Sequence, residues 1–418
     1  MSFRAESPGF VDLLSLHALD PRAYPFLLQS VAGHPQSGRF DILFAFPQQH
    51  LALSDGSDFF AELSRWFASE RGPPSDLPFA GGWFLLLGFE AARQVEPRLR
   101  LPRSPFALPD ALAVRCPAAA IADRDRGTVT LVSERDPSML ERLRVDLERA
   151  RAAPPREPDA LLAQISEEDP ERFCDGVARI HDYLRDGDAF QVNLSRAWRG
   201  TLRPGATHAD AYRRLRLHNP APFAGLARWN DSSVLSSSPE RLISIANGIA
   251  QTRPIAGTRP RAANADEDRA LRERLIESTK ERAEHIMLID LERNDLGRVC
   301  EPGSIEVSEL MTIESYAHVH HIVSNVRGRL RAGVGPGEAI RAVFPGGTIT
   351  GCPKLRAMEI IAELEGEGRG PYTGAMGYLS RDGRLDTNIL IRSLVCEGDA
   401  VTFRAGAGIV ADSSAPAE

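Results

Sequence analysis

Runs that read as β-strands recur along this chain, but the helices between them come at irregular intervals. Phe40–Phe46 (FDILFAF) and Gly82–Gly88 (GWFLLLG) have the continuous apolar character of buried strands, and Gly127–Val132 (GTVTLV) alternates like a half-buried one. Further runs lie at Ala189–Leu194, Gly374–Leu379, Thr387–Leu394 and Val401–Val410. A doubly wound parallel sheet needs a crossover helix after nearly every strand. This chain lacks that rhythm, so its pattern predicts an α+β fold.

The helices announce themselves by their caps. Asp169-Pro170 is a cap followed by a first-turn proline, and Phe173, Val177, Ile180 and Leu184 then form one apolar face up to Gly187. Asn264-x-x-Glu267 reads as a capping box opening one long helix through Leu271, Leu275 and Ile286. Cys352-Pro353 starts another helix. With 418 residues the chain exceeds one ordinary core, and two layers or lobes follow. Residues 151–159 (RAAPPREPD) carry three prolines and four charges, and predict a linker between an N-terminal lobe over 1–150 and a second region over 160–418.

Composition removes whole classes. Fifty basic against 57 acidic residues give a net charge of −7, which argues against a general nucleic-acid binder. No run of eighteen apolar residues predicts a membrane span, and MSFRAESPGF lacks the features of a signal peptide. Five scattered cysteines offer neither a disulfide framework nor zinc-ligand spacing, so a reduced, cytoplasmic setting is expected.

Several constellations have chemical potential. Glu277, Glu281 and Glu284 fall on one face of the expected long helix, with His285 beside them; they make either a solvated acidic face or a hard-cation site for Mg²⁺. Phe344–Lys354 (FPGGTITGCPK) runs from glycines into a helix N-terminus, a plain turn or an anion site. Glu240 follows a proline-fixed turn in Ser237-Ser-Pro-Glu-Arg241, and His321 lies in His318-Val-His-His-Ile322; each is either an acid–base group or an ordinary polar residue. No nucleophile elbow of the Gly-x-Ser-x-Gly or Gly-x-Cys-x-Gly type occurs.

Taken in order, FQVNLS (190–195), SSPERL (237–242), RPIAGTRPR (253–261) and ERAEHIMLIDLERNDLGRV (281–299) resemble blocks of the chorismate-utilising enzymes. HVHHIVSNV (318–326), FPGGTITGCPKLRAMEII (344–361), DTNILIRSL (386–394) and AGAGIVADS (405–413) extend the resemblance. It implies two stacked antiparallel β-sheets flanked by helices, with chorismate and Mg²⁺ bound in a cleft. By resemblance, Glu284 is a metal ligand with Glu281 near the metal, Glu240 is the acid that protonates the departing 4-hydroxyl, and His321 lies beside the ring. Thr348, Lys354, Tyr372, Arg392 and the backbone at Gly406 and Gly408 are implied contacts to the two chorismate carboxylates. A further acidic helix after Asp412-Ser413 is also implied; Glu418 aligns with its first useful carboxylate, and the expected direct ligand falls beyond residue 418.

Members of this family that activate water carry lysine where this chain has Gln191. Glutamine is no base near neutral pH, so ammonia is the expected nucleophile, supplied from glutamine by a separate amidotransferase subunit. Two branches use ammonia. Ala256 stands where many aminodeoxychorismate synthases have a nucleophilic lysine, and resembles the anthranilate branch. FPGGTITG, FQVNLS, NPAPFAGL (219–226) and Leu27-Leu-Gln-Ser30 resemble the aminodeoxychorismate branch. The expectation is therefore amination of chorismate to 4-amino-4-deoxychorismate, with anthranilate formation as the alternative.

Overall fold

The computed structural model describes residues 3–31, 38–54, 56–153 and 161–418. Its strands form two antiparallel sheets, one of 12 strands and one of 10, with helices packed around them. The α+β expectation and the stacked-sheet fold both hold.

In the larger sheet, Phe3–Pro8, Thr128–Ser133, Ala118–Asp123, Phe40–Ala45 and Phe26–Gln29 lead to Phe223–Trp229, Ser232–Ser238, Ser393–Glu397, Ala400–Ile409 and Gln191–Leu202. The smaller sheet sets His50–Ala52, Ala111–Cys116 and Gly82–Leu87 beside Ala375–Ser380, Leu385–Ile389 and Arg241–Ala246. It continues through Ile249–Arg253 to Val319–Arg329 and Ile255–Pro260. Residues before 150 thus supply strands to both sheets, and each sheet runs on into strands from beyond 160. Of the expected linker, Arg151 and Ala152 end the Pro137–Ala152 helix, and 154–160 lie outside the described residues.

Aromatic side chains lock the sheets face to face. Phe26 of the larger sheet stacks on Phe84 of the smaller, with ring centroids 4.1 Å apart, and Phe44 meets Phe84 edge-on at 5.6 Å. Outside the larger sheet lie Leu14, Leu16, Leu143, Leu147 and Tyr212 from three helices. Thr128–Ser133 is nevertheless buried on both faces rather than half-buried: Val129 and Leu131 pack with Leu143 and Leu147 of the helix layer, while Val132, on the side that alternation assigned to solvent, packs between the sheets with Phe44 and Ile121. The Phe59–Glu70 and Pro336–Val343 helices pack against Trp83, Leu85 and Leu87 outside the smaller sheet.

Two further elements differ from the sequence expectation. The long helix after Asn264 is two helices, Ala265–Glu277 and Thr279–Gly297. Asn264 caps the first, accepting from Asp266 and Glu267 N–H; Ser278 turns extended at ψ 113° and its side chain accepts from Glu281 N–H, capping the second. Glu277 is therefore exposed on a different helix from Glu281 and Glu284, and the three-carboxylate face does not form. Ile286 is likewise exposed. The second difference is the single strand expected over Thr387–Leu394, which is split into Leu385–Ile389 and Ser393–Glu397, one in each sheet.

Candidate active site

The cleft lies where the chain crosses between the sheets. One crossing passes from Ser232–Ser238 through Pro239 and Glu240 into Arg241–Ala246; the other passes from Leu385–Ile389 through Leu390–Arg392 into Ser393–Glu397. Hydrogen bonds tie the two together: Ile389 N–H donates to Glu240 O at 3.0 Å, and Ser237 N–H donates to Arg392 O at 3.1 Å. Arg392 takes the left-handed conformation at φ 52°, which the sheet-to-sheet turn demands of it. A glutamic acid and an arginine are thereby fixed at neighbouring strand ends.

Glu240 is buried, and burial first of all pushes its carboxyl up to about 8. Glu292 adds to that rise, while Arg392 and an Ile255 N–H donated to Oε1 at 3.3 Å oppose it. Thr348 lies beside the same carboxyl and also favours its ionised form, yet its hydroxyl makes no hydrogen bond of ordinary geometry. Near neutral pH Glu240 is a protonated acid in a closed site. That is the state a general acid requires.

His321, on Val319–Arg329, is the opposite case. Its Nδ1 lies 2.9 Å from Thr258 Oγ1, and its Nε2 lies 3.3 Å from Arg392 Nη2. A guanidinium only donates, so Nε2 accepts and the ring proton sits on Nδ1. Burial, then Arg392, pulls the ring down to about 4. His321 is a neutral imidazole that orients Arg392.

A third wall comes from Gln191–Leu202 and Ala400–Ile409, which pair with Asn193 opposite Gly408 and Ser195 opposite Gly406. A Cβ at Gly406 would sit 2.3 Å from Leu194 O, and one at Gly408 2.2 Å from Gln191 Nε2. Glycine is what lets the strands and the Gln191 amide close up here. Gln191 Nε2 donates to Glu284 Oε1 at 2.8 Å. Burial, then Glu281, raises the Glu284 carboxyl; Glu418 adds to the rise, and Gln191 and Lys280 oppose it. Glu281 pairs with Arg259 at 3.1 Å. Crowded carboxylates of this kind favour a bound cation, and oxygen-only donors suit Mg²⁺. Among the described residues, no three acidic, histidine or cysteine side chains already converge at ligand distance.

Glu240, Ala256, Glu284, His321, Thr348, Tyr372, Arg392, Gly406 and Gly408 line one cleft of about 570 Å³. Burial pushes the Tyr372 phenol up to about 12, so it stays a neutral donor. Gln191 braces this wall from behind. Lys354 does not join it: its ammonium pairs closely with Asp295 and donates to Val343 O at 3.2 Å, which corrects the expectation of a substrate contact. Asn193, Thr258 and Arg404 also line the cleft, and buried Glu292 stands behind Glu240. Asn193 had a signal, since it lies two residues from Gln191 on an extended strand. Arg404 had none; its guanidinium is placed by Ser195 and Glu365, both distant in sequence.

Comparison with known proteins places this fold in one family. The model of a chorismate binding enzyme family matches residues 25–418. The chain is 41% identical to aminodeoxychorismate synthase component 1 of Klebsiella aerogenes, over 96% of this chain and 91% of that protein. It is 40% identical to anthranilate synthase component 1 of Pseudomonas aeruginosa, over 93% and 86% respectively. The solved anthranilate synthase component I of Streptococcus pneumoniae superposes with a TM-score of 0.82 at 32% identity, covering 92% of this chain and 90% of that one. The menaquinone-specific isochorismate synthase of Escherichia coli shares the fold, with a TM-score of 0.78 at 18% identity over 100% and 90% of the two chains. With nearly its whole length matched, the chain belongs to the chorismate-binding enzyme family.

Proposed function

We propose that this chorismate-utilising enzyme aminates chorismate to 4-amino-4-deoxychorismate, a step toward p-aminobenzoate and folate. The carrying observation is that Asn193 of FQVNLS and Thr348 of FPGGTITG both line the cleft. In those two strings the chain follows the aminodeoxychorismate pattern. Ammonia comes from glutamine through a separate amidotransferase subunit.

In this reading Arg392, Thr348 and Tyr372 receive the substrate carboxylates. The bond from carbon 4 to its hydroxyl oxygen breaks, and that oxygen takes the Glu240 proton and leaves as water. The ammonia lone pair forms the new carbon–nitrogen bond, leaving a protonated amine and an ionised Glu240. Glu281, Glu284 and Glu418 would hold Mg²⁺, which when bound supplies Lewis acidity for loss of the hydroxyl. Gln191 cannot deprotonate water, so hydration does not compete. Ala256 has no amine, so the reaction proceeds without a lysine adduct at that position.

One observation favours a second reading. Ala256 lines the cleft and matches anthranilate synthases, in which ammonia enters at carbon 2 and pyruvate leaves. Product analysis separates the two. Purified protein with chorismate, Mg²⁺ and ammonium should give a product that keeps its enolpyruvyl group, by mass and ultraviolet spectrum. Fluorescent anthranilate with stoichiometric pyruvate would establish the second reading instead.

A further inference from the structure

Fifty basic residues in this chain include two lysines, Lys280 and Lys354. Lys280 is exposed. Lys354 is largely covered, with 15% of its side chain accessible, yet it does not line the cleft. Where nearly every other cation is arginine, an ammonium in an enclosed place calls for a reason. The two groups differ in shape: ammonium is a compact point charge, guanidinium a wide planar fork.

The Lys354 ammonium has two partners. It pairs closely with Asp295, near the end of Thr279–Gly297, and donates to Val343 O at 3.2 Å. Val343 is the last residue of the Pro336–Val343 helix, and Lys354 is the first of Lys354–Glu365. One cation thus joins the two ends of the turn over 344–353 and fastens both to the helix that carries Glu281 and Glu284. It also meets a carbonyl at a helix C-terminus, where a positive charge is favoured. The turn rests on the same acidic helix at its middle. A Cβ on Gly347 would lie 2.4 Å from the Leu291 side chain and 3.5 Å from Glu292 Oε1. Past that point, Arg369 Nη1 donates to Ile349 O at 3.2 Å and Asn193 N–H donates to Thr350 O at 2.9 Å. Between these supports stands Thr348, which lines the cleft beside Glu240. Its hydroxyl makes no ordinary hydrogen bond among the described residues, so the turn alone decides where Thr348 sits.

We propose that Lys354 is a positioning residue that clamps the turn over 344–353 and so places Thr348 for substrate binding. The ammonium acts on the turn's ends and touches neither substrate nor metal. Arginine would keep the charge, but its fork is too wide to gather Asp295 and Val343 O in so enclosed a space.

This inference rests on Thr348 being a substrate contact, as in the proposed function, and on neither choice of ring carbon. Its test is steady-state chorismate turnover at saturating Mg²⁺ and ammonium. Wild type is compared with Lys354→Met, Lys354→Arg, Thr348→Val and the double variant Lys354→Met/Thr348→Val. Lys354→Met and Thr348→Val should each raise the KM for chorismate about fivefold or more, with a smaller fall in kcat. Because the lysine acts through Thr348, the double variant should stay within about twofold of the larger single effect. KM effects that multiply would give Lys354 a role independent of Thr348 and overturn the proposal, as would a wild-type KM in Lys354→Met. That variant leaves the buried Asp295 charge unpaired, so its melting temperature is measured alongside. If it is unfolded, Lys354→Arg, which keeps the charge, should still raise the chorismate KM several-fold, and a wild-type KM there would overturn the clamp. An unchanged KM in Thr348→Val would remove that contact from the proposed function and this inference with it. A raised KM in Thr348→Val, with none in either lysine variant, would overturn this inference alone.

Discussion

Glu240 is held protonated by the place the backbone gives it, and the consequences can be measured. Removing a positioned acid typically slows the chemical step about 10²–10⁴-fold. Glu240→Gln should lose that much kcat at saturating chorismate, and a fall below tenfold would rule the assignment out. In the wild type, kcat should decline as pH rises through about 8, where Glu240 ionises. Stability follows the same proton. A carboxyl raised on folding contributes stability that is fully present below its unfolded pKa and lost as pH rises through the folded one. Glu240→Gln carries no such liability, so above pH 8 it should melt at a higher temperature than wild type in scanning calorimetry. Glu284 gives a separate check: Glu284→Gln should abolish Mg²⁺ binding by titration calorimetry and Mg²⁺-dependent turnover, with the fold intact. Wild-type rates at limiting Mg²⁺ would count against it. The types and spacing of these residues were legible in the sequence. Their protonation states were not, because those depend on Arg392, Glu292 and Thr258, which only the fold brings near.

The elements that build the site are breaks in regular structure. Ser278 separates two helices whose combined sequence has the propensity to run as one. The Ser278-x-x-Glu281 signal was present, but the apolar spacing on either side reads straight through it. Likewise the apolar run through Ile389, Leu390, Ile391 and Leu394 suits a strand, and nothing local marks the crossing at Arg392. That crossing exists because Glu240 O and Ser237 N–H hold it. Caps, turns and the buried strands Phe40–Ala45 and Gly82–Leu87 were readable because their causes are local. Breaks imposed by packing were not. Ser278→Ala removes the cap of Thr279–Gly297 and should cost about 1 kcal/mol, measured by urea unfolding. The cap also sets the axis of the helix that brings Glu284 to the cleft with Glu281 beside it. The same variant should therefore raise the Mg²⁺ concentration needed for half-maximal rate, whereas Ser278→Asp, which keeps an acceptor, should not. An unchanged Mg²⁺ requirement in Ser278→Ala would show that helix packing alone sets these carboxylates.

At the scale of the whole molecule, the proposed amination needs ammonia, and among the described residues no cysteine is set up to release it from glutamine. Amide hydrolysis by a thiol needs an activated cysteine with a base beside it. Burial pushes the Cys116 and Cys396 thiols up to about 12, and it raises those of Cys300 and Cys352 as well. Cys174 is exposed, and no histidine or carboxylate hydrogen-bonds to any of the five among the described residues. Cys352 pairs through its backbone with Gln191 near the cleft, but its thiol is raised by burial alone. The purified chain should therefore aminate chorismate with ammonium salts and fail with glutamine. With ammonium below saturation, the rate should climb as pH rises from 6 toward 8, because only the unprotonated form has a lone pair for attack. Above that, ionisation of Glu240 should flatten and then reverse the climb. Adding a glutamine amidotransferase subunit should confer use of glutamine and move the optimum toward neutral pH, since ammonia delivered within a complex need not pass through bulk water as ammonium. Sustained glutamine-dependent amination by the rigorously purified chain alone would mean that the nitrogen is released here after all.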